Sequence, residues 1–189
     1  VLTTDTLFEQ ESLPDRIGVV GLGVIGLEIG QALSRLDVEV TGVDIGKTVG
    51  GLTDPEVSQK AYDLLSREFA MQLESEAELL EDPEGIRIKT PSGETVVDAI
   101  LASLGRRPNL EGLGLEVLEL ELDERGVPHY DPHTMQVGDR PIYIAGDVNA
   151  ERPLLHEAGD EGRIAGFNAM HETRRFVRKT PLGIVFCDP

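Results

Sequence analysis

The chain has 189 residues, enough for one full domain and part of another, and carries 35 Asp and Glu against 17 Lys and Arg, a formal charge of −18 that argues against nucleic-acid binding. No apolar stretch approaches the ~20 residues that span a bilayer, and no secretory leader is legible. The lone Cys187 excludes an intrachain disulfide framework or a multi-cysteine metal site, and all of this suits a reducing cytoplasm.

Residues 1–15 read as a polar connecting segment closing with Leu13-Pro14. Ile17, Val19 and Val20 then form a strand-type run, followed by Gly21, Gly23 and Gly26 in G-x-G-x-x-G spacing. Behind them Ile25, Ile29, Leu33 and Leu36 recur at helical intervals. Strand, glycine turn, helix is the order a dinucleotide fingerprint requires. Gly21 permits the tight turn, Gly23 lets backbone approach a pyrophosphate, and Gly26 allows helix and strand to pack closely. The amides of the helix start are left free for phosphate. Gly30 extends the close packing by one turn. Val38–Val43 alternates as a second strand and ends at Asp44, eighteen residues beyond Gly26. There an acidic side chain accepts hydrogen bonds from an adenosine ribose, although Asp at a strand end also serves as a plain turn former. No Arg follows Asp44 and Lys47 is the nearest cation, which favours NAD over NADP.

Thr53 or Asp54 caps a helix with Pro55 in its first turn, running to about Arg67. Phe69–Leu73 reads as a strand. Three antiparallel strands follow, roughly Ala77–Leu80, Gly85–Thr90 and Glu94–Asp98, and Ala99–Ala102 closes the unit as a buried parallel strand. Gly112 and Gly114 do not begin a second fingerprint, because position 117 is Val. Ile142–Gly146 reads as a strand ending at Asp147, and Pro153 as the first turn of a helix running through Ile164. His129, His133 and His171 share no metal-ligand spacing, and with Asp131 and Asp139 they read as structural or solvent-exposed. The basic run Arg174–Lys179 is placed near a helix end, where cations suit the macrodipole.

Leu104-Gly105-Arg106-Arg107-Pro108-Asn109, the segment Arg140–Val148 with its Ala145-Gly146-Asp147, and Arg152–Gly162 follow one another in order. Together with Gly21–Glu28 they resemble the FAD- and NAD-dependent disulfide reductases of the dihydrolipoamide dehydrogenase type. The likeness covers nearly the whole chain, and its G-R-R-P-N and Ala-Gly-Asp motifs are more specific than the glycine turn. It implies an α/β fold: a Rossmann-like NAD domain with a meander and lead-in linker over 1–110, and an incomplete α/β segment of a FAD domain over 111–171. Residues 172–189 would then begin a dimerisation domain, making the full enzyme a homodimer. The resemblance also implies that the family's Cys-x4-Cys redox pair lies before Val1 and its His-x4-Glu pair beyond Pro189, leaving no catalytic residue here and an inactive fragment.

The cofactor-binding residues that the resemblance implies include Gly105 and, for NAD, Gly21, Gly23, Val24, Ile25, Gly26, Glu28 and Asp44. For FAD they are Gly146, Asp147, Leu154, Leu155, His156 and Ala158. Asp147 would hold a ribityl hydroxyl, and the Leu155 and His156 amides would face the flavin ring, where a helix start favours negative charge. Val24 departs from the Tyr that many relatives carry, which points away from glutathione reductase-like members. The expected substrate is a small-molecule or lipoyl-domain dithiol. Mercuric reductase-like, transhydrogenase-like and NADH oxidase-like enzymes stay open, as does a standalone NAD-sensing module.

Overall fold

The computed structural model describes residues 1–188. Contacts divide the chain into two compact units, Val1–Gly105 together with the tail from Ile184, and Arg106–Gly183.

The first unit is built on a parallel sheet. A short helix α1 (Thr4–Leu7) precedes β1 (Arg16–Val20), which runs into α2 (Val24–Ser34), β2 (Glu39–Val43), α3 (Pro55–Leu65) and β3 (Ala70–Gln72). An antiparallel sheet of β4 (Glu78–Asp82), β5 (Gly85–Thr90) and β6 (Gly93–Val97) follows before the chain returns as β7 (Ala99–Ala102). The parallel sheet has the order β3-β2-β1-β7, with Val19 between Gly42 of β2 and Leu101 of β7. Strands buried on both faces read as continuous apolar runs, and β1 does: Ile17 and Val19 have no solvent exposure. Burying each such side chain stabilises the fold by roughly 1.5–3 kcal/mol. Leu22 of the glycine turn and Leu27 and Leu33 of α2 join the same core, which Phe69 and Met71 complete.

Residues 1–15 are not merely a connector. Thr3 and Thr6 form a reciprocal cap on α1, and Leu2 pairs with Leu101 beside β7. Asp54, rather than Thr53, caps α3 by accepting the Glu56 and Val57 amides.

The second unit contains a small core of Val127, Val137 and Ile144, two short 3-10 turns (Leu115–Leu118 and Asp147–Asn149) and one long helix, α4 (Leu155–Met170). Ile142–Gly146 does not become a regular strand. Among the described residues its one ladder contact is an isolated bridge from Tyr143 to Gln136, because an apolar run becomes a strand only where a neighbour supplies a ladder of partners. Helix α4 starts after the Leu154 N-cap, so Pro153 lies outside the first turn. The basic run lies past the end of α4 and is paired rather than left to the helix dipole. Arg175 meets Asp131, Arg178 meets Glu151, Glu157 and Glu161, and Lys179 meets Asp160.

Candidate functional site

In the first unit the strand order reverses at β1. The chain builds outward to β2 and β3 and then returns to pair β7 on the other side of β1. The crevice beyond the carboxyl ends of β1 and β7 is therefore a topological switch point, where open α/β sheets bind ligands. The glycine turn fills its rim. Gly21 adopts φ +96°, and a Cβ there would stand 2.4 Å from the Ser103 carbonyl oxygen. A Cβ on Gly26 would lie 1.9 Å from the carbonyl oxygen of Gly21, so α2 can rest on the turn only without one. Gly23 differs: as N-cap of α2 it faces open space and offers no side-chain cap to the helix amides. Those amides carry the positive end of an 11-residue helix toward the crevice, an arrangement that binds phosphate.

Asp44 closes the rim from β2. One carboxylate oxygen accepts the Leu22 N–H at 2.5 Å and the other the Gly46 N–H at 2.6 Å. The side chain thus ties the glycine turn to the loop after β2, and the same carboxylate retains acceptor sites for ribose hydroxyls. Lys47 is exposed and lies 3.7 Å from Glu74, where it is engaged with an acid. Val24 is partly exposed at the first position of α2, and Ile25 and Glu28 are half-buried behind it. Gly105, at φ +94° with open space around it, ends the first of the two segments that make up this unit.

One neighbour of Glu28 was not legible in the sequence. The tail from Ile184 lies on α2, with the Phe186 N–H donating to Glu28 Oε1 at 2.8 Å and Asp188 exchanging hydrogen bonds with Gln31. Val185 packs on the core that contains Leu27. Cys187 is drawn in with it, and burial, with Glu28 and Glu68 nearby, raises its thiol above the usual range.

The residues expected to face the flavin collect in the second unit. Gly146 adopts φ +80° and ψ −159°, a conformation essentially confined to glycine, and a Cβ there would stand 3.2 Å from that of Ala158. Asp147 opens the 3-10 turn with its side chain 49% exposed and 3.8 Å from the Arg106 guanidinium. Leu154 is half-buried as the N-cap of α4, while Leu155, 92% exposed, and His156 stand outward at the first two helical positions. The first amides of α4 have no intrahelical partners, as at any helix start. The predicted residues thus form two groups, one in each unit. Among the described residues no His, Cys, Asp and Glu side chains cluster in threes or more to hold a metal ion, and no helix is long and apolar enough to cross a membrane.

A parallel sheet with this strand order and a glycine turn leading into a helix is a Rossmann-like dinucleotide-binding architecture. The chain belongs to the pyridine nucleotide-disulphide oxidoreductase family, whose model matches residues 1–162. It is 32% identical to the dihydrolipoyl dehydrogenase of Thermus scotoductus, with 99% of this chain and 42% of that protein aligned. It is 36% identical to the mitochondrial dihydrolipoyl dehydrogenase of Mesocricetus auratus, with 87% and 36% aligned. The crystal structure of LpdA from Mycobacterium tuberculosis superposes with a TM-score of 0.82 at 28% identity, over 94% of this chain and 39% of that one. The chain therefore spans about two fifths of the length of these relatives. FAD and NAD are the cofactors of this class of oxidoreductase, and the open glycine turn and the Gly146–Asp147 turn fit them.

Proposed function

We propose that the chain is the NAD-binding and flavin-facing part of a flavoprotein that reoxidises a dithiol, either a small dihydrolipoamide-like molecule or one carried on a lipoyl domain. When bound, FAD and NAD would supply the redox chemistry: the dithiol becomes a disulfide by giving up two electrons and two protons, NAD+ taking a hydride and one proton being released. The chain's own residues bind and orient. The α2 amides around Gly23 receive the pyrophosphate, Asp44 the adenosine ribose, and Val24, Ile25 and Glu28 border the nicotinamide end. Asp147 holds a flavin hydroxyl, and the start of α4 at Leu155 and His156 turns its positive end to the ring system. The whole enzyme is cytoplasmic and works as a homodimer formed through a further C-terminal domain.

Asp44 carries this reading. Its carboxylate is fixed by two backbone amides at the mouth of the glycine turn, and no Arg stands beside it to neutralise a 2′-phosphate. A phosphate placed there would meet a like charge. Isothermal titration of the chain is expected to show NADH binding at least about tenfold tighter than NADPH, a difference of ~1.4 kcal/mol. Equal or tighter NADPH binding would overturn the assignment of Asp44.

A further inference from the structure

Glu161 is a buried acid that stands apart from the cofactor-facing residues. It lies in the second turn of α4 with no solvent exposure, where an apolar residue would be the ordinary occupant. Its two oxygens face different ways. Oε2 accepts the Gly146 N–H at 2.7 Å and an Asn149 side-chain N–H at 2.6 Å. Oε1 accepts from Arg178 Nη2 at 2.5 Å. Gly146 and Asn149 are the two ends of the turn that displays Asp147, and the turn closes with the Asn149 N–H on the Gly146 carbonyl at 2.9 Å.

Burying a carboxylate is costly unless it is paired and its lone pairs are filled, and both conditions are met here. Arg178, with 10% exposure, supplies the counter-charge and also reaches Glu157 at 2.7 Å and Glu151 at 3.0 Å. Tyr130 donates its hydroxyl to Glu151, which locks the outer end of the network. A neutral acceptor would hold the same donors less firmly, because charge-assisted hydrogen bonds are roughly twice as strong. The charge therefore fixes a turn whose first residue already sits in a conformation that only glycine tolerates.

We infer that Glu161 is a positioning residue: through Gly146 and Asn149 it fixes the turn that presents Asp147 to the flavin. The inference rests on the reading of Asp147 as a flavin ligand. The test is amide exchange by NMR on the labelled full chain, with the Asp147 signals followed during FAD addition. Glu161→Ala is expected to speed exchange at Gly146 and Asn149 about tenfold or more beyond any change at Ile164, which reports the helix alone, and to abolish the FAD-dependent shift of Asp147. Glu161→Gln keeps an acceptor oxygen but loses the charge, so exchange at Gly146 is expected to rise beyond any change at Ile164, yet clearly less than in Glu161→Ala. If the Ala variant does not fold, Asn149→Ala is expected to speed exchange at the far end of the turn while Gly146 stays protected. The inference is overturned if Gly146 and Ile164 change in step in both Glu161 variants, which would make Glu161 a structural charge only. It is overturned equally if the FAD-dependent shift survives in Glu161→Ala. A wild-type chain whose Asp147 ignores FAD, while the exchange pattern holds, instead withdraws the flavin role of the turn.

Discussion

Gly26 and Gly23 stand three residues apart in one motif, yet they answer to different constraints. A Cβ at Gly26 would collide with the Gly21 carbonyl at 1.9 Å, so Gly26→Ala must push α2 off the end of β1. Overpacking of this kind costs about 3 kcal/mol, and chemical denaturation is expected to show a loss of that size. Gly23 faces open space at φ −64°, a conformation alanine adopts freely. Gly23→Ala is therefore expected to cost under about 1 kcal/mol of stability while weakening NADH binding, because the added methyl stands where a phosphate would approach. Titration calorimetry and denaturation on the same two variants separate the roles. If Gly23→Ala binds NADH as the wild type does, the crevice is not the phosphate site. Asp44 likewise serves two ends at once, bracing Leu22 and Gly46 while offering its remaining lone pairs outward.

Between elements, the corner that joins the two sheets of the first unit is held by charge. Asp98 sits between β6 and β7, accepts the Arg16 N–H at 2.8 Å and pairs with the guanidinium at 2.6 Å. Arg16 also reaches the Glu84 carbonyl at 3.1 Å, so the first residue of β1 binds both the meander and the returning strand. The Arg16 side chain and its backbone amide hold the Asp98 carboxyl below the usual range. Asp82 is lowered in the same way, by the Glu84 amide and then by Arg87. A carboxylate whose folded pKa is depressed contributes stability above its unfolded value, near 4, and loses that contribution as pH falls through the folded value. Stability measured by urea unfolding is expected to be level from neutrality to about pH 5 and to fall below about pH 4. Asp98→Asn should lower stability at neutral pH and flatten that acid limb. An unchanged acid limb in the variant would show that other carboxylates govern it.

At the scale of the whole molecule the two units differ in what they can complete. The first closes a four-stranded parallel sheet and buries its own core, whereas the second relies on a few apolar side chains and leaves Leu113, Val117 and Val177 in solvent. The chain also spans only about two fifths of its relatives' length. The purified chain is therefore expected to bind NADH and to answer added FAD only weakly, carrying no stoichiometric flavin through purification as read from its visible absorbance, and tightly held yellow flavin would contradict this. The sequence by itself determined the β1–turn–α2–β2 unit, with Asp44 at its end and Pro55 in the first turn of α3, because strand periodicity, glycine spacing and proline placement act over a few residues. It misjudged Ile142–Gly146 and the first fifteen residues, where regular structure depends on partners elsewhere: a missing ladder in one case, Leu101 in the other. Only the tertiary structure decided that Phe186 would reach Glu28, 158 residues away, and that Arg178 would neutralise a buried Glu161 beneath the Asp147 turn. Such contacts are a hydrogen bond or an ion-pair network between separate segments, and they leave no period, spacing or composition in the chain to read.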